Sequence, residues 1–285
     1  MAGGAGISTV SPENQINKLG TFLLLAAYGI FAVGSLQWYN IPIPDEVRLV
    51  YKFAVPLVSL ILALSMRRSS RLNRYWQVFF ASFIGGAAFL LQWLVFRSLS
   101  YPINVETIAL EKALFALLTI VPIVAFTRLS GGDLGSIYIK RGKLSTGLLV
   151  GVALFAIFAV ASPILATTMF GSQNVDSRVM GWAPWILVFV LSSGLLEESM
   201  YRGLFLKKYE ALLSPRAANF LQAIVFCTIH LSVAYTPEPY FFVFLTFLLG
   251  LAWGWVAQRT DSLLASVLFH AGTDIPIILS IFLTL

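Results

Sequence analysis

Charged residues are scarce in this sequence. Asp, Glu, Lys and Arg make up 11% of its 285 residues, whereas hydrophobic residues make up 58%. Soluble domains carry about 25% charged residues, so too few are present here to cover a water-facing surface. Composition alone therefore argues against a soluble enzyme, a nucleic-acid-binding protein and a disordered regulator.

Cysteine and histidine are also rare. The single cysteine, Cys227, excludes an internal disulfide and any metal or iron–sulfur site built from several cysteines. The two histidines, His230 and His270, both lie in apolar segments of the C-terminal half. Ionisable residues at membrane depth are costly, so each one is a candidate functional residue.

Long apolar segments are abundant instead. A helix needs about 20 mostly apolar residues to cross a bilayer. Eight segments are strong or fair candidates for such a helix, and a ninth, 50–66, is ambiguous because Lys52 interrupts it. The predicted spans are 19–38, 50–66, 75–96, 107–126, 144–170, 182–196 (continuing as helix to about Leu206), 217–231, 240–257 and 262–285. We therefore predict an all-α fold, a polytopic integral membrane helix bundle of eight or nine transmembrane helices.

The positions of the basic residues predict the orientation. With nine spans and a cytoplasmic N-terminus, the clusters at 67–74, 128–143 and 207–216 all fall inside. The few basic residues that fall outside are Arg48, Lys52, Arg97 and Arg178. This asymmetry follows the positive-inside rule. It explains the net charge of +6 without a nucleic-acid partner, and it places the C-terminus outside.

The polar stretch 128–143 divides the predicted organisation. Residues 1–18 are expected to form a flexible tail, 19–128 about four transmembrane helices, and 129–285 a catalytic helix bundle. The surroundings would be membrane lipid, and the N-terminal helices offer a surface for a membrane-protein partner.

Three short motifs carry the chemistry: Glu197-Glu198 with Arg202, Phe226 with His230, and His270 with Asp274. Glu198 and Arg202 are four residues apart and pair on one helix face, as do His270 and Asp274. Peptide hydrolysis needs a base that activates water and donors that stabilise the oxyanion. Carboxylate and histidine side chains supply these functions directly. They can also hold Zn²⁺ through two histidines and a carboxylate.

In this order, EExxxR, FxxxH and HxxxD resemble the motifs of the CPBP family, which comprises the CAAX-prenyl endopeptidases and the bacterial Abi proteins. The resemblance covers roughly 129–285 and implies an intramembrane protease, described as a metalloprotease or a glutamate protease. It implies that Glu197 and His230 activate the water, with His270 and Asp274 as oxyanion stabilisers or metal ligands. Glu198, Arg202 and Phe226 would support the site. Glu197, His230 and His270 would be the ligands of a metal.

One position departs from the family pattern. The family more often has Asn where this chain has Asp274. An ionised aspartate cannot donate a hydrogen bond. Asp274 is therefore expected to orient His270 or to bind a cation.

We accordingly predict an endopeptidase that cleaves a peptide or membrane-protein substrate near the cytoplasmic face, because EExxxR ends its predicted span there. Two alternatives stay open: a catalytically silent scaffold or assembly factor, and a proton- or cation-coupled transporter. Glu197 and His230 must also lie at similar depth to share a water. Glu197 is predicted near the cytoplasmic end of its helix, whereas His230 would lie roughly 20 Å from the start of the next helix. Either the helix with Glu197 extends further, or the next helix begins nearer Phe220.

Overall fold

The computed structural model describes residues 18–35, 44–172, 178–232 and 236–285, and within these ranges all regular structure is helical. The predicted all-α fold is confirmed. The predicted tail, apart from Lys18, and the end of the first predicted span at Trp38 lie outside the described residues. The helices are α1 (Lys18–Ser35), α2 (Asp45–Arg68), α3 (Trp76–Phe96), α4 (Val105–Leu129), α5 (Leu144–Phe170), α6 (Arg178–Glu198), α7 (Lys207–Glu210), α8 (Pro215–Ile229), α9 (Pro239–Thr260) and α10 (Leu264–Phe282).

Within the described residues, seven helical stretches are long and apolar enough to cross a membrane, where the sequence predicted eight or nine. The difference comes from α1, whose described apolar part is Gly20–Gly29, and from α8, which has 15 residues. Short as it is, α8 runs antiparallel along most of α9. Gln258 near the end of α9 donates to the Pro215 carbonyl, and the Phe242 ring near its start lies 6.0 Å from that of His230.

The helix that carries Glu197 continues past its predicted span, as the sequence predicted for the residues up to about Leu206. α6 continues through a π-helical segment, Ser199–Leu206, into α7, giving an apolar helical stretch from Val179 to Glu210. At 1.5 Å per residue, Glu197 lies about 20 Å from Glu210, and His230 about 22 Å from Pro215. The two side chains therefore reach similar depth, because the first helix extends further and not because α8 starts late.

One end of the bundle collects the basic loops, and we call it the basic end: residues 67–74, 128–143, 207–216 and 259–261. Lys140 forms an ion pair with Asp261 at 2.5 Å, and the Lys143 amide donates to the Thr260 carbonyl. Trp76, which stacks with Arg67, shares a cavity with Lys208. The first two basic clusters therefore lie at the same end, as expected if α2 is a span.

A tyrosine and a glutamate join the connector to the bundle at this end. Tyr138 donates its hydroxyl proton to the Glu210 carboxylate at 2.8 Å. Burial, reinforced by that carboxylate, raises the pKa of Tyr138 well above its usual range, so the phenol stays a donor. Gln258 donates to the same carboxylate. The connector is thus fixed to the ends of both α7 and α9.

The core is shared between the N-terminal and C-terminal helices. One hydrophobic cluster contains Phe79 of α3 together with Phe205 and Phe226. The predicted boundary at 128/129 thus divides two groups of helices that share one cluster, and the division into domains stays a prediction. α10 is the most enclosed of the candidate spans, with 78% of its apolar stretch buried inside the protein. α5 leaves Leu149 and Val160 largely exposed, as a lipid-facing helix does.

Candidate active site

The three motifs meet at one cavity of about 300 Å³. Its lining includes all four residues predicted to be catalytic, Glu197 of α6, His230 at the end of α8, and His270 and Asp274 of α10. Most other lining residues are aromatic or aliphatic. A few ionisable groups therefore converge in an apolar chamber, which is the usual character of a binding or catalytic site.

Arg202 and Glu198 form a fully buried ion pair beneath the cavity. Arg202 Nη1 lies 2.8 Å from Glu198 Oε1, and its Nη2 donates to the Gly250 carbonyl at 3.1 Å. The guanidinium also lies over the rings of Phe226 and Trp253, at 4.7 and 5.1 Å. A buried charge of this kind persists only when it is paired and hydrogen-bonded. Glu198, Arg202 and Phe226, which were predicted to support the site, are therefore joined beside the cavity through Arg202.

His270 joins this ion pair to the cavity. Its Nδ1 lies 2.7 Å from Glu198 Oε1, and its ring stacks on Trp253 with centroids 3.9 Å apart. A carboxylate only accepts hydrogen bonds, so we assign the proton to Nδ1. His270 Nε2 then faces the cavity, 3.6 Å from both Glu197 Oε2 and Asp274 Oδ1. Asp274 also hydrogen-bonds Ser193.

His230 is oriented in the same manner. Its Nδ1 lies 3.0 Å from the Phe226 carbonyl. A carbonyl cannot donate, so Nδ1 carries the proton and Nε2 is left as a lone-pair acceptor. The ring packs beside Phe226, with centroids 4.6 Å apart. Phe226 thus positions His230 through its backbone and Arg202 through its ring.

Glu197 is the carboxylate that faces the cavity. Its side chain is 15% exposed, whereas that of Glu198 is fully enclosed. Successive helical residues are turned by about 100°, so the two neighbours point to different environments. Glu197 Oε1 lies 3.7 Å from Lys112 Nζ of α4, and Oε2 points toward His270.

The residues present do not fit a bound Zn²⁺ ion. In the part of the chain that the structure describes, no three His, Cys, Asp or Glu side chains are arranged to hold a metal. Glu197, His230 and His270 line one cavity, but Glu197 is paired with Lys112. The predicted zinc site stays a prediction.

The cavity extends away from the basic end. Phe170 is the last residue of α5, and with Phe242 and Ile281 it lines the far part of the chamber. The helical stretch that carries Glu197 continues to Glu210, and cleavage near the cytoplasmic face stays a prediction.

Three residues of the site did not enter the predicted set: Lys112, Ser193 and Trp253. Lys112 gave a signal, since it is a charge inside a predicted span. Trp253 gave none, because an aromatic residue in an apolar helix is ordinary. Its role appears only when α9 packs beside α10.

Residues 179–276 match the family model described as type II CAAX prenyl endopeptidase Rce1-like. The match contains all three motifs and Trp253, but not Lys112. Comparison with curated proteins and with solved structures finds no match. Residues 179–276, about a third of the chain, are therefore similar to the Rce1-like proteins of the CPBP family, the family that the three motifs resemble.

Proposed function

We propose that this chain is an intramembrane endopeptidase in which Glu197 and His230 activate the attacking water. One observation carries the proposal. Within the segment that matches a peptidase family, a carboxylate and two imidazole Nε2 atoms face one apolar cavity. A carboxylate and an imidazole acceptor on one cavity are what is needed to bind a water and remove its proton.

The proposed reaction follows from these positions. Glu197 takes a proton from a water that His230 Nε2 orients, and the resulting hydroxide adds to the carbonyl carbon of the substrate. In its protonated state, His270 donates from Nε2 to the developing oxyanion, while its Nδ1–H stays on Glu198. When the C–N bond breaks, the proton on Glu197 passes to the leaving amine.

Two carboxylates support His270 in this scheme. Glu198 fixes the ring from the Nδ1 side, and Asp274 lies near Nε2 and favours the imidazolium. This is the orienting role expected for an aspartate at position 274. The Phe226 carbonyl orients the His230 ring, and Arg202 is paired with Glu198.

The lining of the cavity favours an apolar substrate segment. Phe158, Leu165, Met169 and Phe189 face it, so a polar peptide would lose hydration without compensation. The matched family is described by its CAAX prenyl endopeptidases. A prenylated CAAX peptide is therefore the first substrate to test, followed by unmodified peptides with apolar residues.

The test is cleavage of quenched fluorogenic peptides by the purified chain in detergent. Glu197→Gln should lower kcat by at least about 100-fold, the usual contribution of a general base, with unchanged thermal unfolding. Glu106→Gln, at an exposed position of α4, is the matched control and should cleave like wild type. Full turnover by Glu197→Gln would refute the assignment.

A chelator separates the two chemistries. Wild-type activity that survives chelation and dialysis supports the metal-independent scheme. Activity that is lost on chelation and restored by Zn²⁺ would mean that the side chains rearrange around a metal, as the family resemblance allowed.

The alternative functions give different outcomes. A scaffold that binds a membrane-protein partner through the N-terminal helices would co-purify with it as well in Glu197→Gln as in wild type, without cleavage. A transporter would show substrate-dependent flux in liposomes.

A further inference from the structure

Lys112 reaches the cavity from outside the family segment. It lies on α4, and its Nζ is 3.7 Å from Glu197 Oε1 and 5.2 Å from the centre of the Phe189 ring. Its side chain is 22% exposed and lines the cavity. Among the described residues that line this chamber, Lys112 is the one Lys or Arg.

The sequence of α4 explains why Lys112 points inward. Asn104 and Thr107 form a capping box that fixes where the helix begins. Val105, Ala109 and Ala116 are buried, and Lys112 falls on this stripe at helical spacing. Val105 belongs to the same hydrophobic cluster as Ile186 and Val190 of α6. α4 therefore holds its ammonium group against the helix that carries Glu197.

The other cation near the site is already engaged. Arg202 is bound to Glu198 and to the Gly250 carbonyl, so it does not serve Glu197 as a direct partner. Glu197 and Asp274 both lie close to His270 Nε2. Without Lys112, the ionised Glu197 would face an apolar cavity and the carboxylate of Asp274. His270 would be the remaining near partner of Glu197, which is an unfavourable arrangement for a buried charge.

We infer that Lys112 is a positioning residue for the Glu197 carboxylate, an inference that rests on the proposed function. The ammonium binds Oε1, which fixes the side-chain rotamer and leaves Oε2 toward His270 and the cavity. Oε2 is then the atom that removes the proton from water. The N-terminal helices thereby contribute directly to a site whose motifs all lie in the C-terminal half.

The first experiment measures kcat and KM for Lys112→Met, which keeps the length of the side chain and removes its charge. We expect kcat to fall by about 100-fold, as when a general base is poorly placed, and KM to change little, because the substrate does not bind Lys112. Lys112→Arg should recover most of the loss. Lys52→Met, at another half-buried lysine of a spanning helix, is the matched control and should behave as wild type.

A chemical rescue separates charge from packing. In a Cys227→Ser background, Lys112→Cys is alkylated with bromoethylamine, which restores an ammonium at lysine length, or with iodoacetamide, which adds neutral bulk. Activity restored by the first reagent and not by the second supports the positioning role. Thermal unfolding of each variant checks that all are folded.

The outcomes distinguish this inference from the proposed function. If wild type cleaves and folded Lys112→Met keeps the wild-type kcat, the role of Lys112 is overturned and the function stands. Equal losses in the Met and Arg variants, with no rescue by bromoethylamine, would also overturn it. If wild type cleaves no peptide and Glu197→Gln is indistinguishable from it, the function fails and the role of Lys112 fails with it.

Discussion

At the residue scale, two adjacent glutamates have separate tasks. Glu198 is buried on Arg202 and His270, whereas Glu197 faces the cavity beside Lys112. Helical rotation predicted that they could not do the same job. The spacing paired Glu198 with Arg202, whereas the assignment of Glu197 to the cavity was implied by the family resemblance.

Arg202→Met should destabilise the protein strongly. The substitution keeps most of the packing on Phe226 and Trp253 but leaves Glu198 buried without its cationic partner, a change that costs about 3–5 kcal/mol. Unfolding in detergent, followed by thermal or denaturant titration, measures the loss. The double variant Glu198→Gln/Arg202→Met should be more stable than Arg202→Met alone. Wild-type stability of the single variant would contradict the structural role.

At the element scale, small residues let helices approach closely around the site. The Gly250 carbonyl accepts from Arg202 and Gln222, which brings α9 against both the π-helical segment and α8. A methyl group on Gly254 would overlap Asn219 Oδ1 and come within 2.8 Å of Gln222 Nε2. The GxxxG spacing at Gly250/Gly254 and Gly147/Gly151 indicated close packing. Gly151, Gly250 and Gly254 are closely packed, whereas a methyl group added at Gly147 would make only ordinary contacts.

Gly254→Ala should therefore lower both stability and activity. The added methyl group must displace the Asn219 side chain, which hydrogen-bonds the Leu251 carbonyl and Gln222, at a cost of about 1–3 kcal/mol for overpacking. Asn219 lies on α8 and Gly254 on α9, and these helices carry His230 and Trp253. Gly147→Ala is the matched control, because its new methyl group would meet Ala265 at 3.8 Å, an ordinary contact. Unfolding midpoints and kcat of the two variants test this. Equal behaviour of the pair would show that α9 can shift without cost.

At the scale of the whole molecule, the fold separates a basic end from a cavity whose lining extends toward the other end. The loops 67–74 and 128–143 share the basic end, and Phe170 and Ile281 line the far part of the chamber. If the positive-inside rule holds, the basic end is cytoplasmic. The far part of the chamber would then lie toward the outer side.

The orientation is testable with single cysteines in a Cys227→Ser background. A membrane-impermeant maleimide added to intact cells should label Ser100→Cys, in the loop between α3 and α4, and should not label Arg141→Cys at the basic end. Permeabilised cells, in which both should react, provide the control. The reverse pattern would place the basic end outside, and the far part of the chamber would then lie toward the cytoplasm.

The sequence by itself determined what depends on neighbours along the chain. Apolar length predicted an all-helical membrane bundle, because the bilayer requires each span to satisfy its own backbone. Spacing of four residues paired Glu198 with Arg202 and placed His270 near Asp274, since helical geometry alone brings such side chains together. The three motifs also pointed to the family that residues 179–276 match.

The tertiary structure decided what depends on how helices pack. The sequence predicted that the helix of Glu197 continues to about Leu206, but only the packing of α6 and α8 brings Glu197 and His230 to one cavity at similar depth. Lys112 and Trp253 join the site because α4 and α9 pack beside α6 and α10. The extension of the cavity away from the basic end has the same origin. Contacts between distant segments leave no periodic trace in one sequence, so only the folded arrangement reveals them.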